Sequence, residues 1–195
     1  GVDSGSTFFN NLIDPNYKQP KEWKFSLGST WEMPWAGITA DIDYMYTVLK
    51  DGVIIRDVTQ EQVGTTILGQ PIYDSIPGAG QGNLMLTNTN EDGRAHVFSV
   101  VFNKSFDWGM DLMLGYAWTD AEDVSPMTSF TAGTSFENLA TNDINYPRAA
   151  SSNYNVRNRL TLRASFAREF WGDNQTRFTL MGYYGEGQPG SYTME

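Results

Sequence analysis

Between Lys21 and Lys50 the chain alternates apolar and polar side chains with a period of two, interrupted once. Trp23, Phe25, Leu27, Trp31 and Met33 take one parity of the first half, and Lys24, Ser26, Gly28, Thr30 and Glu32 the other. After Pro34-Trp35-Ala36-Gly37 the alternation resumes, with Ile38, Ala40, Ile42, Tyr44, Tyr46 and Val48 opposed to Thr39, Asp41, Asp43, Met45, Thr47 and Leu49. Successive side chains of a strand point to opposite faces, so each half predicts a strand with one apolar and one polar face. Each run is about 11 residues, long beside the ~5–6 of soluble strands and close to the ~9–11 that cross a bilayer.

The same unit recurs twice. Residues 95–106 and 110–121 flank Asp107-Trp108-Gly109, with Phe98, Val100, Phe102 and Phe106 on one face and Met110, Leu112, Leu114, Tyr116 and Trp118 continuing it. Residues 157–170 and 176–185 flank Gly172-Asp173-Asn174-Gln175, with Leu160, Leu162, Ala164, Phe166, Phe170, Phe178, Leu180, Gly182 and Tyr184 apolar. Residues 1–20, 51–94 and 120–156 read as loops. Val53-Ile54-Ile55 and Thr66-Ile67-Leu68 are candidate short strands within the second. Short turns at one end and long loops at the other are the asymmetry of outer-membrane barrels, whose turns are periplasmic and whose loops are extracellular. The expectation is therefore an all-β, antiparallel transmembrane β-barrel segment of about six long strands. Trp31, Trp35, Trp108 and Trp171, with Phe106 and Phe170, fall at or near the short turns and predict an aromatic belt facing lipid at one interface. Lys104 and Arg168 break the apolar parity near that belt, where a long cationic side chain can snorkel to headgroups. Lys24, Glu32, Asp41, Asp43, Asp111, Arg159, Arg163, Glu169 and Arg177 fall on the polar parity and predict a solvated lumen wall with salt bridges toward a plug. Six strands fall short of the ~8 of the smallest membrane barrels, so residues 1–195 are expected to be part of one larger barrel domain.

Composition narrows the alternatives. The net charge of −10, with 13 basic and 23 acidic residues, argues against nucleic acid. No cysteine supplies a disulfide or thiolate. No apolar run reaches the ~18 residues of a transmembrane helix, and no basic start leads into the apolar core of a signal peptide. A mean hydropathy of −0.41 is compatible with a barrel, because alternation averages the apolar face away.

Candidate chemistry is sparse. Asn88-Thr89-Asn90-Glu91-Asp92-Gly93 follows the first half of a calcium-binding loop, but Ser99 stands where the pattern needs Glu; an extracellular turn is the better reading. Asp120, Glu122 and Asp123 read as a solvated acidic loop rather than a divalent-ion grip. Asp3-Ser4-Gly5 echoes two protease motifs, yet neither a correctly ordered His nor a second Asp-Thr/Ser-Gly accompanies it. His96, the sole histidine, has no His or Cys at ligand spacing and reads as a strand-entry residue. No catalytic, metal or cofactor site is expected.

Several stretches resemble the barrel of TonB-dependent outer-membrane receptors, in particular the Oar-like branch. They are Asp14-Pro15-Asn16-Tyr17-Lys18-Gln19-Pro20-Lys21-Glu22-Trp23, Leu114-Gly115-Tyr116-Ala117-Trp118-Thr119-Asp120-Ala121-Glu122-Asp123-Val124, Ala150-Ser151-Ser152-Asn153-Tyr154 with Asn158-Arg159-Leu160, and Tyr183-Tyr184-Gly185-Glu186-Gly187-Gln188-Pro189-Gly190-Ser191-Tyr192. The resemblance covers most of the chain but not the family's TonB box, plug or terminal aromatic strand. It implies roughly the last third of a ~22-stranded plugged barrel. It further implies residence in the outer membrane, contact with lipid, with the remaining strands and plug and through them with TonB, and energy-coupled import of a nutrient. A passive porin-like barrel and a soluble β-sandwich binding module are the other readings.

Overall fold

The computed structural model describes residues 11–79, 82–127 and 129–190. Two regions differ in construction. The first is an antiparallel sheet of long strands: β2 (Lys21–Met33), β3 (Ile38–Lys50), β8 (Gly93–Phe106), β9 (Met110–Asp123), β11 (Asn158–Trp171) and β12 (Asn174–Gly185). They lie in chain order, β2-β3-β8-β9-β11-β12, so every neighbour is also the next long strand. The alternating runs predict all six within two or three residues, and the polar/apolar parity is the reason. A one-residue slip would turn every side chain to the wrong face. Among the described residues the sheet does not close on itself: β2 pairs only with β3 and β12 only with β11.

The three short turns share one end of the sheet. In the middle one Gly109 has φ +95, and a Cβ there would collide with the Ala167 carbonyl oxygen. Glycine is required, because Ala167 N–H donates to Gly109 C=O at 2.9 Å and ties this turn to β11. The third turn is tighter than expected, with β12 beginning at Asn174.

The second region is a cap at the loop end, and here the sequence expectations need correction. Residues 51–94 are not largely irregular. They contain β4 (Val53–Asp57), β5 (Gln60–Thr65), β6 (Pro71–Ser75) and β7 (Leu84–Asn88). Residues 1–20 are not all loop, since β1 (Asn11–Ile13) pairs in parallel with β7, which pairs antiparallel with β4. Val53-Ile54-Ile55 is a strand as expected, whereas Thr66-Ile67-Leu68 is the turn between β5 and β6. The 120–156 stretch holds a short helix, α1 (Ala132–Glu137), and the two-residue β10 (Ala150–Ser151) against β9. Thr131 caps α1, its Oγ1 accepting the Thr134 N–H at 3.3 Å.

Most of the buried side chains belong to the cap. Ile54, Ile55, Leu84 and Val124 are buried there with Asp57, Thr59, Thr87 and Asn145. The polar ones have partners, as burial demands. Asp57 accepts from the Thr59 N–H (2.8 Å) and hydroxyl (2.5 Å), and Asn145 Oδ1 accepts the Asp57 N–H at 2.7 Å. Thr87 donates to Asp14 Oδ2 at 2.6 Å, and Asn88 bridges Lys18 and the Asp51 carbonyl. The Asp14-Pro15-Asn16 turn therefore staples the chain to β7 just before β2 begins.

Candidate functional site

Cross-strand register sets which residues share a face. Opposed residues point the same way. One row runs Ser29, Ile42, Val100, Tyr116, Leu160, Tyr184; the next runs Trp31, Ala40, Phe102, Leu114, Leu162, Gly182. The apolar parities of the six strands thus form one continuous face. Among the described residues no second sheet covers it: Phe25 is 59% exposed and Leu180 66%, while the small Ala40, between Trp31 and Phe102, is buried.

Toward the turn end this face becomes aromatic. Phe106 contacts Trp108, Trp108 contacts Phe166, and Phe170 contacts Phe166, Trp171 and Phe178, with ring centroids 5.6–6.3 Å apart. Four of the six expected belt residues, Phe106, Trp108, Phe170 and Trp171, are in this cluster. Trp31 and Trp35 lie at the first turn, outside it. The row through Ile38 meets Ala164 in β11, seven residues before Trp171, so the turns descend obliquely across the sheet. Such stagger accompanies strand tilt in barrels. Lys104 Nζ lies 4.8 Å from the Phe106 ring centroid, which gives this cation a partner on the apolar face.

A second aromatic group, not anticipated, lies on the same face toward the loop end: Trp23, Tyr44, Tyr46, Phe98, Tyr116 and Trp118. Two of their polar tips find partners. Tyr116 donates to Asn158 Oδ1 at 2.6 Å, and Tyr44 Oη lies 2.8 Å from His96 Nδ1. His96 is the fourth residue of β8, near the start of the strand, with its ring 4.7 Å from that of Tyr46. Arg94, Asp120 and Glu122 extend the apolar parity at its upper end, so Lys104 and Arg168 are not its sole charges.

The polar face carries Lys24, Glu32, Asp41, Asp43, Asp111, Arg159, Arg163, Glu169 and Arg177 on the expected parity, without bringing them into one cluster. Asp41 accepts from Thr30 Oγ1 at 2.8 Å and Asp111 from Ser105 Oγ at 2.7 Å. Lys24 pairs with Glu22 at 3.1 Å, while Arg159, Arg163 and Arg177 make no ion pair among the described residues.

The loop motifs resolve into structural contacts. Asp92 of the calcium-like stretch pairs with Lys50, Glu91 Oε2 accepts the Ala149 N–H at 3.1 Å, and Asp120 pairs with Arg157 at 3.1 Å. Among the described residues no group of His, Cys, Asp and Glu is placed to hold a metal. Asp3-Ser4-Gly5 lies outside the described residues.

Two concavities lie in the cap. A cleft of about 740 Å³ is lined by Asp123, Val124, Thr141, Asn142, Tyr146 and Arg148, among others. Tyr146 and Arg148 also line a second cavity of about 220 Å³, together with Arg56 and Glu91. The segment between the two is rigidly tied. Asp143 Oδ1 accepts from the Tyr73 hydroxyl (2.7 Å) and from the Asn145 (3.1 Å) and Tyr146 (2.9 Å) N–H groups. Arg56 hydrogen-bonds the Tyr146 hydroxyl, and its guanidinium lies 3.9 Å from the ring centroid. Burial, then the hydrogen bond to Asp143, pushes the Tyr73 hydroxyl well above its ordinary pKa, so it stays a donor. Pattern reading missed this cleft. Its one sequence signal is Asn145-Tyr146-Pro147-Arg148, an aromatic and a proline within an otherwise polar loop.

Among the described residues no helix is long and apolar enough to cross a membrane, which says nothing of strands. Comparison of the chain with protein-family models, curated proteins and solved structures finds no match.

Proposed function

We propose that this chain supplies wall strands and extracellular loops to a β-barrel of the outer membrane, in a receptor of the TonB-dependent, Oar-like kind that imports a nutrient by energy coupling. The observation that carries the reading is the uncovered apolar face, continuous across six long strands and aromatic toward both ends. Patches beyond a few hundred Å² mark a membrane or protein contact, and aromatic side chains with polar tips suit the headgroup level. The free edges of β2 and β12 expose backbone N–H and C=O groups, which hydrocarbon does not tolerate, so further barrel strands belong beside them. The polar face then looks into the lumen, and the cap with its cleft stands over the extracellular mouth. A soluble sandwich needs a second sheet over the apolar face, and none of the described residues provides one.

Fractionation of cells making the native protein, combined with surface labelling, tests this. Recovery in the outer membrane, with Lys18 and Lys50 labelled from outside and Trp108 quenched by brominated lipid, is the expected result. A detergent-free soluble protein would overturn it. Uptake that persists after the inner-membrane proton gradient is collapsed favours the passive, porin-like alternative.

A further inference from the structure

The larger cleft contains one cation and one anion that the fold leaves unpaired. Arg148 makes no ion pair or side-chain hydrogen bond among the described residues, and neither does Asp123. The third charged residue of the cleft, Asp143, is different, because its Oδ1 already takes three donors. Arg148 is also held in position. Pro147 before it is buried, the Ala149 N–H after it is fixed on Glu91, and Asn145 is an anchor only 2% exposed. The backbone that carries Arg148 is thus already ordered, so binding has only the side chain left to fix.

We propose that this cleft binds a short peptide with free ends, its carboxylate on Arg148 and its amino group on Asp123. The assignment rests on the reading of the cap as the ligand-facing end of a receptor. Asp123 is the last residue of β9 and pairs with Ala150, two residues after Arg148. Two residues of chain reach at most about 7 Å, which keeps the two charges within the span of a short peptide. Thr141, Asn142, Ser151 and Asn153 line the same cleft and offer both the donors and the acceptors that peptide groups need. The volume of about 740 Å³ suits a small ligand. A neutral sugar can hydrogen-bond both side chains but carries no charge to neutralise either, whereas a free peptide supplies both charges. A polyanion would meet a chain of net charge −10.

The test is titration calorimetry of the purified full-length protein with tri-alanine, in its free, N-acetylated, C-amidated and doubly capped forms. The free peptide should bind, and each single cap should weaken it about tenfold or more. Arg148→Gln should weaken the free peptide similarly yet leave the C-amidated peptide unchanged, which also shows that the variant is folded. Asp123→Asn should do the same for the N-acetylated peptide. No heat from free tri-alanine at millimolar concentration, equal binding of the doubly capped form, or tighter binding of a neutral trisaccharide overturns the proposal. Peptide binding by a protein that fails to fractionate with the outer membrane overturns the barrel reading alone. Membrane residence without peptide binding overturns this one alone.

Discussion

The sheet and the cap are two solutions to burying apolar surface. In the sheet the strands run 12 to 14 residues, one face is apolar over its middle with charged residues toward its ends, and few side chains are buried. The cap uses strands of two to six residues, mixes polar with apolar at each turn, and contains most of the buried groups. Its interior is held by specific hydrogen bonds from Asp57, Thr87 and Asn145 as much as by Ile54 and Leu84. The sheet is organised for a surrounding that lies outside the chain, the cap for an interior of its own. The cleft that we propose as the ligand site is accordingly in the cap, where loops can vary on a fixed support.

Charge substitution separates the two faces of the sheet most strongly. Leu114→Arg, set among Phe102 and Leu162, should cost ~2–4 kcal/mol in lipid if it lies near the bilayer midplane. Val101→Arg on the opposite face, across from Asp41, should cost much less. Denaturant titration of the reconstituted protein measures both, and equal costs would erase the distinction between faces. Leu114 is a cleaner probe than Leu112, which the register sets opposite Lys104.

Within the cap, Asn145→Ala removes the acceptor of the Asp57 N–H and should cost about 1–3 kcal/mol. Amide exchange should rise at Asp57 and along 143–149 while β8 and β9 stay protected. Exchange rising equally in both regions would mean that cap and sheet unfold as one unit.

Acid should loosen the staple at Asp14. The Thr87 hydroxyl and then the Asn16 N–H hold its carboxylate below the ordinary value of 3.8. A depressed pKa stabilises the fold above the unfolded value and is lost as pH falls through the lower, folded one. Exchange at the Asp14 N–H, bonded to Leu86, should therefore rise only below about pH 4, and Asp14→Asn should remove that dependence. The smallest effect is at α1, where Thr131→Ala should cost roughly 0.5–1 kcal/mol, read as faster exchange at Thr134 alone.

Six strands, their faces and their turns were legible along the chain because period-two alternation needs only local sequence and one solvent contrast. The tryptophans at 31, 35, 108 and 171 were legible as neighbours of the short turns, but only Trp108 and Trp171 join the aromatic cluster there. The second aromatic group was readable in principle, from Tyr44, Tyr46 and Trp118 on the apolar parity. The cap was not. Its strands are too short for a period to emerge, and β1 joins β7 across about 70 residues, a pairing no local pattern encodes. Nor does spacing reveal that Asp143 Oδ1 takes Tyr73 and two backbone groups while Arg148 and Asp123 have no partner among the described residues. Alternation determined the sheet, since every second side chain reports the same surroundings. Tertiary structure decided the cleft, since whether a charge is spent or available depends on partners brought together by folding.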